Sequence, residues 1–156
     1  MTTDRATSRF VPDGFAAPRG LEHALFTLRP LDVEYNERDY AAWTTSLAHI
    51  ASTPGFVGAD WPHAMSLDDN RQDLARHAAD FAVRRGFTYT VLDGDDVIGC
   101  VYIYPSKASA HDARVSSWVR YDHAQLDAVL YFAVLDWLAT EWPFANVEYA
   151  PRREVR

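Results

Sequence analysis

The chain has 156 residues and one cysteine, Cys100, which excludes a disulfide framework and a thiolate zinc cluster. Its formal net charge of −7, with no run of Lys or Arg, excludes the basic surface that nucleic-acid phosphates require. A composition 48% hydrophobic and 24% charged fits one globular domain that builds its core without staples.

Residues 1–23, "MTTDRATSRFVPDGFAAPRGLEH", are polar and then broken by Pro and Gly, and read as an extended arm without regular structure. They contain no apolar run of signal-peptide type, and nothing in the chain approaches the roughly 18 uninterrupted apolar residues of a membrane span. A cytoplasmic protein is expected. "HALFTLRPL" is the first strand, stopped at Pro30. Tyr40, Trp43, Leu47 and Ile50 recur at three- and four-residue steps and predict one helix face. After the irregular "STPGFVGADWPH", Ser66 and Asp69 form a capping-box pattern. The helix it starts is striped by Leu67, Leu74, Ala78 and Phe81 and closed by Gly86.

"FTYTVLD" and "VIGCVYIYP" then form two strands around the turn "GDD". The second is apolar on both faces, as a central strand is. "DARVSSWV" is the next strand. Leu126, Leu130, Ala133 and Trp137 stripe a third helix that ends before Pro143, and "ANVEYA" is a last short strand. A basic tail occupies residues 151–156.

The order strand, two helices, three strands, helix, strand, together with "DVIGCVYIYP…DARVSSWVR", resembles the GNAT superfamily of acyl-CoA-dependent N-acyltransferases over residues 24–150. The "WP…SLDDN" and "IGCVYIYP" text is similar to a bacterial subgroup lacking the glycine-rich CoA loop. The resemblance implies an α/β (α+β) domain: a mixed, mostly antiparallel central sheet flanked by helices, here C-terminally truncated. It implies acetyl-CoA or another acyl-CoA as cosubstrate, no metal, and a small-molecule amine as acceptor. In that family the acyl-CoA lies where the strand matching "RVSSWV" splays from its neighbour, which places Trp118, Val119 and Arg120 at the cofactor. Tyr102 and Tyr104, on one face of the central strand, are the catalytic candidates, and Trp61 is the acceptor-pocket candidate. The competing account of the tyrosines is core packing with a hydrogen-bonded tip; of Trp61, packing of its loop on the sheet.

Two departures stand out. The pyrophosphate loop reads "RYDHAQLDAV", without a glycine and with two aspartates. Asp122 and Gln125 have the spacing of a capping box, so this helix start is expected to satisfy its own amides. Arg120 either replaces the lost backbone cradle with a phosphate contact or pairs with Asp122. The family's fourth helix and final strands do not follow "ANVEYA". A free sheet edge is therefore expected, covered by the arm or by a second subunit in a homodimer. These departures favour a second reading, a GNAT-derived small-molecule-binding or interaction module without catalysis.

His49 and His77 lie on helices without partners at metal spacing, and His111-Asp112 alternates across a strand start. "DGDD" lacks the glutamate of a calcium loop and reads as a turn.

Overall fold

The computed structural model describes residues 9–153. Six strands form one sheet in sequence order: β1 (Leu21–Glu22), β2 (Thr27–Pro30), β3 (Phe87–Asp93), β4 (Asp96–Pro105), β5 (Ala113–Val119) and β6 (Val147–Tyr149). Neighbours are antiparallel except β5 and β6, which run parallel. Four α-helices flank the sheet: α1 (Asn36–Thr44), α2 (Leu47–Ala51), α3 (Leu67–Ala82) and α4 (Asp127–Glu141).

Strand alternation divides the core in two. Phe87, Tyr89, Val101, Ile103, Val115 and Val119 face α4, while Cys100, Trp118 and Tyr102 face α1–α3 with Trp43, Ile50 and Leu74. The β3–β4 hairpin turns at Gly94 (φ 60°). A register shift beside Val91 and Leu92 leaves Ile98 without a β3 partner and lets it face α4 although Cys100, two residues on, faces the other side. Gly99 is required where β4 meets β5, because a Cβ there would stand 2.4 Å from the Trp118 carbonyl oxygen.

The single helix expected through Ile50 is two. Thr44, Thr45 and Ser46 hydroxyls donate back to the carbonyls of Tyr40, Ala41 and Ala42 at 2.6–2.8 Å, and the helix breaks there. The break rotates Leu47 outward while Ile50 stays buried. The capping box at Ser66 and Asp69 forms. The far end of α3 closes at Arg84 rather than Gly86: Arg84 has φ 65°, its N–H donates to the Phe81 carbonyl (3.2 Å), and the Arg85 N–H donates to that of Asp80 (2.9 Å). This is a Schellman closure with arginine in the position glycine usually takes.

The segment from Arg9, expected as an extended arm without regular structure, packs on the sheet and contributes β1 at its end. Val11 is buried, Phe10 stacks on Phe87 (5.9 Å) and Phe144 (5.2 Å), and Phe15 lies against Trp142 (5.4 Å). The Arg84 guanidinium donates to the Pro12 and Phe15 carbonyls, and the Tyr89 hydroxyl to that of Pro18 (2.7 Å). The segment thus covers the α4 face of the sheet.

Candidate functional site

Helix α1 buries polar residues on the face that should be apolar. Asn36, Asp39, Ala42 and Trp43 all point inward, at helical spacing. Their partner is Asn70 of α3, itself buried. The Trp43 indole can only donate, and its Nε1 lies 3.0 Å from Asn70 Oδ1, which fixes the amide orientation. Asn70 Nδ2 then donates to Asn36 Oδ1 (2.9 Å) and Asp39 Oδ2 (3.1 Å), and Asn36 donates to the Leu67 carbonyl (3.2 Å). Asp39 is only 4% exposed. Burial, with a smaller effect from Asp73, pushes its carboxyl up to about 6 despite the Asn70 hydrogen bond.

Asp39 opens onto a cavity of about 400 Å³ between the sheet and helices α1 and α3, within the size range of small-molecule sites. Phe56, Trp61, Leu74 and Tyr102 supply its apolar wall, and Asp73, His77 and Ser116 further polar groups. The rings of Trp61, Phe56 and Tyr102 sit 5.9–6.4 Å apart, and Trp61 also lies against Trp43 and Trp118. Trp61 therefore both packs its loop and lines the cavity.

The two tyrosines differ. Tyr102 lines the cavity, and its hydroxyl accepts the Trp118 Nε1–H at 3.0 Å. Burial drives its pKa well above the usual value. The Tyr104 hydroxyl instead donates to Asp80 (2.9 Å), which is paired with Arg85 at 2.5 Å. Because the Tyr104 hydroxyl directs its proton at Asp80, its 2.8 Å contact with His77 Nδ1 calls for a proton on that nitrogen, which Thr88 Oγ1, 3.0 Å away, can also accept. Nε2 of His77 is then the acceptor, and it has no partner among the described residues. Burial, reinforced by Arg76, lowers His77 to about 4, so its ring is neutral near pH 7.

On the other side of Ser116 the parallel strands part. β5 and β6 pair only at Ala113–Val147, Arg114–Glu148 and Val115–Tyr149. Beyond that point the β5 edge is met by a side chain, Arg152. Its Nη2 donates to the Ser117 carbonyl (2.9 Å), its Nη1 to that of Ala150 (2.9 Å), and its Nε to Asp127 Oδ2 (2.9 Å). Tyr131 and Tyr149 flank the guanidinium at 5.7 and 5.8 Å, and the side chain is only 4% exposed. The Tyr149 hydroxyl lies 2.6 Å from Ser117 Oγ.

The turn after β5 is a 3-10 helix, Tyr121–Leu126, entered from an extended Arg120. The expected capping box at Asp122 and Gln125 does not form. Asp122 instead accepts from Arg120 Nε (2.7 Å) and His123 Nδ1 (3.0 Å), which pull its carboxyl down to about 2. Arg120 also reaches the Val97 carbonyl (3.2 Å), and the Tyr121 N–H donates to Ser46 Oγ (3.0 Å). Of the cofactor candidates, the Trp118 side chain packs toward α1–α3 and that of Val119 toward α4, so their backbone is what borders the parting. Sequence reading passed over Asp39, Asn70 and Arg152. Asp39 and Asn70 had one available signal, falling in register with Trp43 and Leu74 on the inward stripes of their helices.

No protein-family model matches this sequence, and no curated protein is similar to it. Solved structures are. RimJ from Mycobacterium smegmatis in complex with CoA-disulfide aligns at TM-score 0.63 and 16% identity, over 83% of this chain and 63% of that one. The ribosomal-protein α-N-acetyltransferase RimL in its apo form aligns at 0.60 and 14%, over 83% and 69%. The microcin C7 self-immunity acetyltransferase MccE in complex with acetyl-CoA and AMP aligns at 0.59 and 14%, over 79% and 66%. This chain thus spans about two thirds of the length of the structures it resembles. At TM-scores of 0.59–0.63 and identities of 14–16%, these alignments show the fold, and the fold of this chain is the GNAT fold.

Proposed function

We propose that this chain transfers an acyl group from an acyl-CoA to a small amine. The acceptor would enter the cavity between the sheet and α1 and α3, and the thioester would lie along the parting of β5 and β6. One observation carries this reading: Ser116 lines the cavity and is the β5 residue that follows the last β5–β6 pair, Val115–Tyr149, so the cavity reaches β5 where the parting begins. Amine attack on the thioester carbonyl forms a C–N bond, breaks the C–S bond and moves one proton from nitrogen to the departing sulfur. Holding the two reactants end to end supplies most of such a rate.

In this reading the Asp39 carboxylate receives the amine proton, its pKa of about 6 placing it near working pH. Tyr102, with its own proton uncommitted to Trp118, donates a hydrogen bond into the cavity. Its raised pKa suits orientation better than full proton donation. Tyr104, held by Asp80 and His77, supports from behind. The backbone of Trp118 and Val119 would border the pantetheine, and Arg120 would meet phosphate after releasing Asp122.

A second reading is favoured by Arg152, whose guanidinium fills the parting, and by Arg120, which is already paired. On that reading the cavity is a small-molecule-binding site on a GNAT scaffold without acyl donor. Titration of acetyl-CoA by calorimetry, with thiol release measured over a panel of primary amines, tests the choice. Affinity tighter than about 1 mM with amine-dependent thiol release supports transfer. Neither would leave the binding module as the function.

A further inference from the structure

The lining of the cavity is uneven in a way that specifies an occupant. Asp39 Oδ2 takes its one hydrogen bond from Asn70, whose second N–H bond goes to Asn36. Asp39 Oδ1 receives no donor among the described residues. Arg76, the cation on the same wall, lies 3.4 Å from Asp73 and 4.0 Å from Asp80 and is held at the mouth. A carboxylate 4% exposed, with one neutral donor and no counter-ion, is costly to maintain. Of the other polar groups in the lining, the neutral His77 presents Nε2 and Asp73 a second carboxylate as acceptors, while the Ser116 and Tyr102 hydroxyls are neutral groups that can donate or accept. The rest is apolar surface from Phe56, Trp61, Leu74 and Tyr102, with aromatic faces that attract a cation. The apolar and aromatic share of the lining suits a cation that carries an organic body.

We propose that the cavity binds an organic monocation with an apolar body, a protonated arylalkylamine in type, its ammonium seated on Asp39 Oδ1 and its ring against Trp61 and Phe56. The assignment rests on the cavity being the acceptor side in the reading above. Its test needs no acyl donor, so the two can fail separately.

Three probes on one phenylethyl scaffold separate charge from shape: phenethylamine, its isostere 2-phenylethanol and the anion 3-phenylpropionate, titrated calorimetrically into the full chain at pH 7.5. The amine should bind at least about ten-fold more tightly than the alcohol, the scale of one charge-assisted hydrogen bond, and the carboxylate should not bind. Asp39→Asn, which can still accept from Asn70, should bring amine and alcohol to within about three-fold. Asp73→Asn, at the mouth, should keep most of the preference. The assignment falls if amine and alcohol bind alike, if no probe binds, if the preference survives Asp39→Asn, or if Asp73→Asn alone abolishes it. Amine binding that depends on Asp39 without any thiol release from acetyl-CoA would uphold this assignment while removing acyl transfer.

Discussion

Arg152 and Asp127 form a two-point ion pair, Nε to Oδ2 at 2.9 Å and Nη2 to Oδ1 at 3.3 Å, across the place where β5 and β6 separate. Their removal should have opposite effects on stability and on ligand access. Arg152→Ala leaves a half-buried carboxylate unpaired and should cost about 2 kcal/mol in urea unfolding, whereas Asp127→Asn with Arg152→Ala recovers most of it. If the parting admits acyl-CoA, the double variant should bind acetyl-CoA at least about ten-fold more tightly than wild type, because a repelling charge and an obstructing side chain are both gone. Equal affinity would show that these residues do not guard a donor track.

Asp39 and His77 should tilt stability against pH in opposite senses. Asp39 rises from an ordinary 3.8 to about 6. Between those values the folded state holds the extra proton, and its contribution falls as pH rises. His77 drops from 6.5 to about 4, so the unfolded state takes its proton first and stability rises with pH across that window. The groups facing them are Asn70 and Asp73 for Asp39, and Tyr104, Thr88, Arg76, Asp73 and Asp80 for His77. Asp39→Asn should therefore gain little at pH 4 and on the order of 2 kcal/mol at pH 7.5, read from urea curves at stepped pH. A gain independent of pH would mean Asp39 is not ionised where it is buried.

Asn70 satisfies three other groups at once. Asn70→Leu should cost about 3 kcal/mol, more than the loss of one hydrogen bond, because the Trp43 indole and the Asp39 carboxylate are stranded together. A loss below about 1 kcal/mol would indicate that water replaces the amide.

Arg84 combines backbone strain with a clamp. Arg84→Gly should relieve about 1 kcal/mol of left-handed strain while releasing the Pro12 and Phe15 carbonyls. Limited proteolysis should then cut within residues 9–18 several times faster, with the melting temperature of the remaining domain little changed. Unchanged cleavage would show that Phe10 and Phe15 anchor the segment alone.

The element order was legible because strand alternation and helical stripes are strong local signals, and Ser66 with Asp69 marked its helix start to the residue. The α1–α2 break was not. Thr44, Thr45 and Ser46 fit a helical pattern, and only the hydroxyl bonds back to the carbonyls, with Tyr121 leaning on Ser46, show where it fails. Gly86 was the expected helix stop on propensity, whereas Arg84 takes the left-handed position because its guanidinium gains the N-terminal segment. At the site, Trp61 and Tyr102 drew notice as aromatics. Asp39 did not, since an acidic residue beside the Tyr40–Trp43 stripe shows no inward role until Asn70, 31 residues away, is seen beneath it.

The Phe10 and Phe15 anchors also decide how the molecule can be handled. They fasten the chain on the α4 side of the sheet, while the Asp39 chamber opens on the opposite side, among α1 and α3. A sensor-surface tether attached ahead of Arg9 therefore draws on the back of the molecule and leaves the chamber mouth facing the analyte stream.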